Sequence, residues 1–180
     1  SITNNGAGGI TANLGSVATP RINISAAGSG NGGSFILNAP NGPISLSTTG
    51  NAVNAQAAGA NGNGGNIQIV GQSFTASGNP LLNVNGVGSG NGGTITVQST
   101  QAGNNITVGN TSPDIRISAS GGATGQAGTV NLNAGGNLTV NTAQLSASTG
   151  TNRNGATLNF NSGLGGAGTT QIIGSLNVDG

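Results

Sequence analysis

A cluster of glycine and asparagine recurs about every 30 residues along this 180-residue chain, and a short alternating apolar run follows it each time. Alternation of apolar and polar residues is typical of a strand that buries one face. The clusters end near residues 8, 33, 65, 93, 128 and 156. A unit of this length cannot bury its apolar face alone, whereas stacked copies can. The spacing therefore predicts a repeat fold.

The alternating runs predict three short strands in each repeat. The inward residues of the first strands are Ile10/Ala12, Phe35/Leu37, Ile67/Ile69, Ile95/Val97, Val130/Leu132 and Leu158/Phe160. We expect the ten from Phe35 to Phe160 to form the structural core. A second run follows within the repeat, and its first inward pair is Ile44/Leu46. A third run closes the repeat, and the repeats are aligned so that its inward pair Leu82/Val84 corresponds to Ile115/Ile117 in the next repeat.

This pattern predicts an all-β fold, a right-handed parallel β-helix (β-solenoid) of about six coils with three short strands each. Residues 1–180 form a single solenoid segment, and no separate second domain is expected. Each coil begins near the end of one glycine cluster. Asn-Gly pairs in these clusters, such as Asn63-Gly64 and Asn91-Gly92, are expected to supply the positive φ of a sharp corner.

Charge is nearly absent, which excludes several classes of function. The charged residues are Arg21, Arg116, Arg153, Asp114 and Asp179, and the chain has no His or Cys. Catalysis by two carboxylates or by a nucleophile with a histidine has no residues to use. Metal sites and nucleic-acid surfaces lack their usual ligands. We therefore expect no enzyme, cofactor, metal site, nucleic-acid partner or membrane insertion. Asp114 and Arg116 flank Ile115, and we expect at most a weak surface ion pair between them.

The outward residues of the strands are the candidate binding or packing positions. On the second strands they form a hydroxyl row with steps of 30, 32 and 32 residues: Ser45, Thr75, Thr107 and Thr139. Such a row suits an ice-binding surface, but threonine also has high β-propensity and aids solubility. Outward asparagines on the other strands suit glycan binding, pairing with another rod, or ladders that stabilise neighbouring coils.

The repeats resemble those of filamentous-haemagglutinin-like exoproteins. The resemblance is carried by Gly-Asn-Gly-Gly-Thr-Ile-Thr-Val at 90–97, by the stretch at 128–140 and by Gly-Gly-Asn-Ile-Gln-Ile at 64–69. That family consists of bacterial adhesins exported by two-partner secretion. The resemblance implies an extracellular, cell-surface rod that acts in cell adhesion and biofilms.

Two structural interpretations stay open under this resemblance. The chain is either an internal segment of an adhesin shaft, since no convincing Asn-Pro-Asn secretion motif is found, or a subunit of an extracellular fibre. Its expected partners are copies of itself or flanking β-helix coils at both ends, and surface glycans. The alternative function is an ice-binding or glycan-binding β-solenoid that uses the outward Thr and Asn rows.

Overall fold

The computed structural model describes residues 1–15, 21–26, 28, 30–48, 51–151, 153–176 and 178. Asp179 lies outside these ranges. The described chain is all-β, with one 3-10 turn at Thr142–Gln144, and none of its helical residues form a segment long and apolar enough to cross a membrane. Fifteen strands follow in chain order: β1 Ile2–Thr3, β2 Ile10–Gly15, β3 Ile22–Asn23, β4 Ser34–Thr48, β5 Asn51–Asn54, β6 Asn66–Ser77, β7 Leu81–Asn83, β8 Thr94–Ser99, β9 Ile106–Val108, β10 Arg116–Ser118, β11 Thr129–Asn133, β12 Leu138–Asn141, β13 Leu145–Ser146, β14 Thr157–Asn161 and β15 Thr170–Ile173.

The strands stack as parallel ladders, so the predicted β-solenoid is confirmed. Sheet 1 runs in the order β1-β4-β6-β8-β11-β14, and sheet 3 runs in the order β13-β10-β7-β5-β3. Sheet 2 has two parts: β2 with the second halves of β4 and β6, and then β9, β12 and β15. We number the coils 1 to 6 by their strands in sheet 1. Since sheet 3 has five strands among the described residues, the chain makes about five complete turns.

The core lies inside the coils, where the inward side chains of successive strands form columns. In sheet 1 the register stacks Leu37 on Ile69 and Ile69 on Val97, and the same column continues to Leu132. These four side chains are fully buried. Each such aliphatic side chain contributes about 1.5–3 kcal/mol by leaving water. The columns are therefore the main source of stability.

The ten core residues predicted from the sequence occupy two inward columns of sheet 1. One is the column of Leu37, and the other begins with Phe35 paired with Ile67. Eight of them are buried: Phe35, Leu37, Ile67, Ile69, Ile95, Val97, Val130 and Leu132. Leu158 and Phe160 lie in coil 6 and are only partly buried against the same cluster. They are more exposed because β14 pairs on one side with β11 and no described strand covers its other side.

The alignment of coil 1 was wrong. Ile10 and Ala12 were predicted on a first strand, but they pair with Ile44 and Leu46 on the second strand of coil 2. The first strand of coil 1 is β1, where Ile2 pairs with Leu37. Since β1 has only two residues, it carries no alternating signal. The coil therefore begins before residue 8.

The alignment of the third strand in coil 4 was also wrong, by two residues. Leu82 pairs with Ile117 rather than with Ile115. Ile115 instead forms a parallel bridge with Val108, next to the loop at 109–114. The loop places Ile115 against the second strand, so the third strand begins one residue later, at Arg116.

The glycines of the Asn-Gly pairs are required by close approach and not by positive φ, whereas Gly59 and Gly88 in the same clusters do have positive φ. Gly64 and Gly92 do not adopt left-handed backbone conformations, which corrects the expectation for the Asn-Gly pairs. A Cβ on Gly64 would overlap the carbonyl oxygen of Val84, and a Cβ on Gly92 would overlap that of Ala119. Neighbouring corners are thus packed backbone against backbone, which only glycine permits.

Candidate functional site

The outward hydroxyl row of sheet 2 is present in two separate pieces. Ser45 pairs in register with Thr75, and Thr107 pairs in register with Thr139. Thr75 is exposed and the other three are half-buried. The row is interrupted between Thr75 and Thr107, because β6 and β9 do not pair.

The interruption follows from a longer connection in coil 4. Six residues, 100–105, join β8 to β9, whereas four residues, 134–137, join β11 to β12. The extra length lets β9 move away from β6 while coils 3 and 4 remain paired in sheets 1 and 3. The start of this connection is still bonded to β6 of coil 3, because the Gln101 N–H donates to the carbonyl of Gln72 at 2.7 Å.

Side chains replace part of the missing ladder on the coil 3 side. The Phe74 N–H donates to Asn104 Oδ1 at 3.0 Å, and the Gly78 N–H donates to Ser112 Oγ at 3.2 Å. On the coil 4 side, the Ile115 N–H donates to the carbonyl of Thr107 at 2.9 Å. Capped edges of this kind keep two facing strands from recruiting other chains along their whole length.

The charged residues of this region act structurally and do not form the predicted ion pair. Arg116 donates from Nε and Nη2 to the carbonyl of Asn79 at 3.3 and 3.2 Å. Asp114 Oδ2 accepts from the N–H and hydroxyl of Thr111.

Asn79 adopts a left-handed φ of 57°, which asparagine tolerates better than most residues. Its Nδ2 donates to the carbonyls of Gly109 and Asp114 at 2.9 and 3.3 Å, so this group ties coil 3 to coil 4.

An open cleft of about 260 Å³ lies at the interruption. Its floor is apolar and comes from Phe74, Ile106 and Ile115, all of which are buried. Thr75 and Thr107 form its two sides. Sequence reasoning missed this cleft. The signal that could have revealed it is the extra length of residues 100–105.

Many outward asparagines are used by neighbouring coils. On sheet 1, Asn159 Nδ2 donates to Asn131 Oδ1 at 2.8 Å, and Asn131 Nδ2 donates to Thr96 Oγ1 at 3.1 Å. In the corners, Asn63 Oδ1 accepts from the Asn91 N–H at 2.8 Å, and Asn91 Oδ1 accepts from the Gln126 N–H at 2.9 Å. The asparagine rows therefore form ladders between coils, and the amide groups in them are less available for a ligand.

The described residues offer little for metal or charge chemistry. No group of three or more His, Cys, Asp or Glu side chains comes together among them. Among the described residues, none that lines the 260 Å³ cleft is charged, and the polar groups of this lining are hydroxyls, amides and backbone groups.

No protein-family model, no curated protein and no solved structure matches this chain. The resemblance to filamentous-haemagglutinin-like repeats therefore stays a prediction from the sequence. The class that the structure defines is a Gly/Asn-rich parallel β-solenoid.

Proposed function

We propose that this chain is a non-catalytic structural or adhesive rod segment on a bacterial cell surface. It serves as part of an adhesin shaft or as a subunit of an extracellular fibre. The observation that supports this best is the parallel ladder of sheet 1, which passes through all six coils in one register. Such a ladder transmits load along the stack through backbone hydrogen bonds and makes a stiff, extended element.

The last coil presents a surface suited to continuation by more β-structure. Among the described residues, β14 pairs only with β11 and β15 only with β12. Apolar side chains at this end are exposed: Leu164, Ile172, Ile173, Leu176 and Val178. A free strand edge beside apolar side chains is a template for another strand. A second copy or a further coil would cover it, and the net charge of +1 would not oppose the contact.

Ice binding is not favoured by the geometry of the hydroxyl row. A flat array needs regular spacing across many coils, but the row breaks between Thr75 and Thr107. Each piece contains only two of the four predicted hydroxyls. Glycan binding is compatible with the cleft, whose described lining carries no charge.

A pair of charge substitutions on β15 tests the stacking. Ile172 lies in the inward column, in register with Val140, whereas Gln171 is in register with the outward Thr139. Ile172→Glu should abolish end-to-end assembly, because it places a charge in the apolar surface that the next coil would cover. Electron micrographs and sedimentation measure the assembly. Gln171→Glu adds the same charge on the outward face and should leave assembly unchanged. Equal assembly by both variants would contradict continuation through this end.

A further inference from the structure

The cleft between coils 3 and 4 has the features of a small ligand site. We propose that it binds a single neutral sugar residue, at the end or on a branch of a surface glycan. This inference rests on the proposed function, since it would give an adhesive rod a lateral contact. It places that contact at the interruption of sheet 2 and not along the asparagine rows.

The size and floor of the cleft suit one sugar ring. Its volume of about 260 Å³ is near the lower limit of small-molecule sites, which are mostly apolar with a few polar groups. The floor side chains Phe74, Ile106 and Ile115 are only 5%, 1% and 1% exposed. They close the cleft from below, and the apolar surface that a sugar can contact comes from the exposed Pro113 and the edge of Phe74. Burying the C–H face of a sugar against this surface is favourable.

The sides of the cleft carry uncharged hydrogen-bonding groups. The hydroxyls of Thr75 and Thr107 line it, and neither makes a hydrogen bond with another described residue. Asn104 also lines the cleft, and its Oδ1 is already held by the Phe74 N–H. Its Nδ2 is thereby fixed in position as a donor. Two hydroxyls and one amide match the mixed donors and acceptors of sugar hydroxyls.

The backbone adds one further donor. Along a parallel strand, alternate residues direct their N–H groups to the same neighbouring strand. The N–H groups of Phe74 and Gly78 reach coil 4 through Asn104 and Ser112, so the N–H of Ala76 between them also faces coil 4. With β6 and β9 unpaired, the Ala76 N–H has no ladder partner. A donor without a strand partner favours a ligand that supplies an oxygen.

The same contacts select a compact ligand over an extended peptide. A peptide that adds to a sheet edge needs several consecutive free backbone groups. Here Asn104 and Ser112 occupy the edge on both sides of Ala76, and Ile115 occupies the facing edge at Thr107. The absence of a charged residue from the cleft lining favours a neutral sugar over an anionic one.

The test is a titration followed by NMR, with the methyl glycosides of glucose, galactose, mannose and N-acetylglucosamine as probes. At least one of them should bind saturably to the native chain. Thr75→Val should weaken that binding about 3- to 10-fold, the usual effect of losing one hydrogen bond. Valine has high β-propensity, so the strand should persist. Thr139→Val, an outward position of the same sheet outside the cleft, is the matched control and should change binding less than about twofold.

Thr107→Val, on the opposite side of the cleft, provides a second variant and should also weaken binding. The inference is overturned if none of the four glycosides saturates, or if Thr139→Val weakens binding as much as Thr75→Val. Preferential binding of glucuronate or of an extended tetra-alanine peptide also overturns it. Electron micrographs of the same samples separate the two proposals. A 4.8 Å repeat of stacked coils without sugar binding overturns only the cleft assignment, whereas the absence of that repeat overturns the proposed function.

Discussion

Replacing Gly64 by alanine should destabilise the solenoid strongly, because the added Cβ meets the backbone of the next coil. It would overlap the carbonyl oxygen of Val84 and lie 2.5 Å from the Gly93 nitrogen. Those two groups are hydrogen-bonded to each other at 2.8 Å, so the methyl group points at the bond that closes the next corner. Relief of the overlap would require the corner at Gly64 to move. That corner is held in place, however, because the Asn91 carbonyl accepts the Gly64 N–H at 2.8 Å.

The expected loss of unfolding free energy is about 4 kcal/mol. Overpacking contributes about 1–3 kcal/mol, and separating the Gly93 N–H from the Val84 carbonyl contributes about 1–3 kcal/mol more. With a urea dependence of about 1–3 kcal/mol per molar, the unfolding midpoint should fall by more than about 1 M. Circular dichroism during urea unfolding measures this shift.

Gly8→Ala is the control for the same chemical change. The nearest heavy atom to a Cβ at Gly8 is Asn4 Nδ2 at 4.0 Å, and Gly8 does not have a left-handed φ. This substitution should leave stability unchanged or raise it by about 0.4–1 kcal/mol, through the unfolded state. If Gly64→Ala and Gly8→Ala shift the midpoint alike, the close packing of the corners is wrong.

Two further predictions concern the core and the tie between coils 3 and 4. Leu132→Ala, at a fully buried position of sheet 1, should lower the free energy of unfolding in urea by about 2–5 kcal/mol. Leu164→Ala, at a position that is 50% exposed, should lower it by less than about 0.5 kcal/mol. Similar losses for the two variants would contradict the assigned core. Asn79→Ala removes the donor to Gly109 and Asp114 and places alanine at a left-handed φ. It should cost about 2–4 kcal/mol, Asn79→Gly should recover about 1 kcal/mol of this, and an equal cost for both would argue against backbone strain at Asn79.

The regular part of the solenoid could be predicted from the sequence because its signal is local. Phe35 and Leu37 alternate with polar residues, and the same pattern recurs one coil later at Ile67 and Ile69. Equal spacing then sets which residues stack. The structure pairs Phe35 with Ile67 and Leu37 with Ile69, because sliding one strand by a residue would turn every apolar side chain outward.

The irregular parts could not be predicted, since they depend on how one coil meets the next. Ile10 carries the same local pattern as a first strand, and only its pairing with Ile44 shows that it belongs to the second. Ile115 looks like an inward strand residue, but the loop at 109–114 directs its backbone to Val108. The cleft arises from these inter-coil offsets, and its one trace in the sequence is the extra length of residues 100–105.

The central claim is that the chain is a rod of stacked parallel coils, and cryo-electron microscopy of the purified native chain tests it most directly. Our account predicts a density repeat of about 4.8 Å, the spacing of neighbouring strands, along the axis on which the coils stack. Six coils correspond to roughly 29 Å of rod length, with longer filaments where copies stack end to end. Particles without this repeat, or end-to-end stacks in which the 4.8 Å repeat runs across the long axis, would contradict the claim.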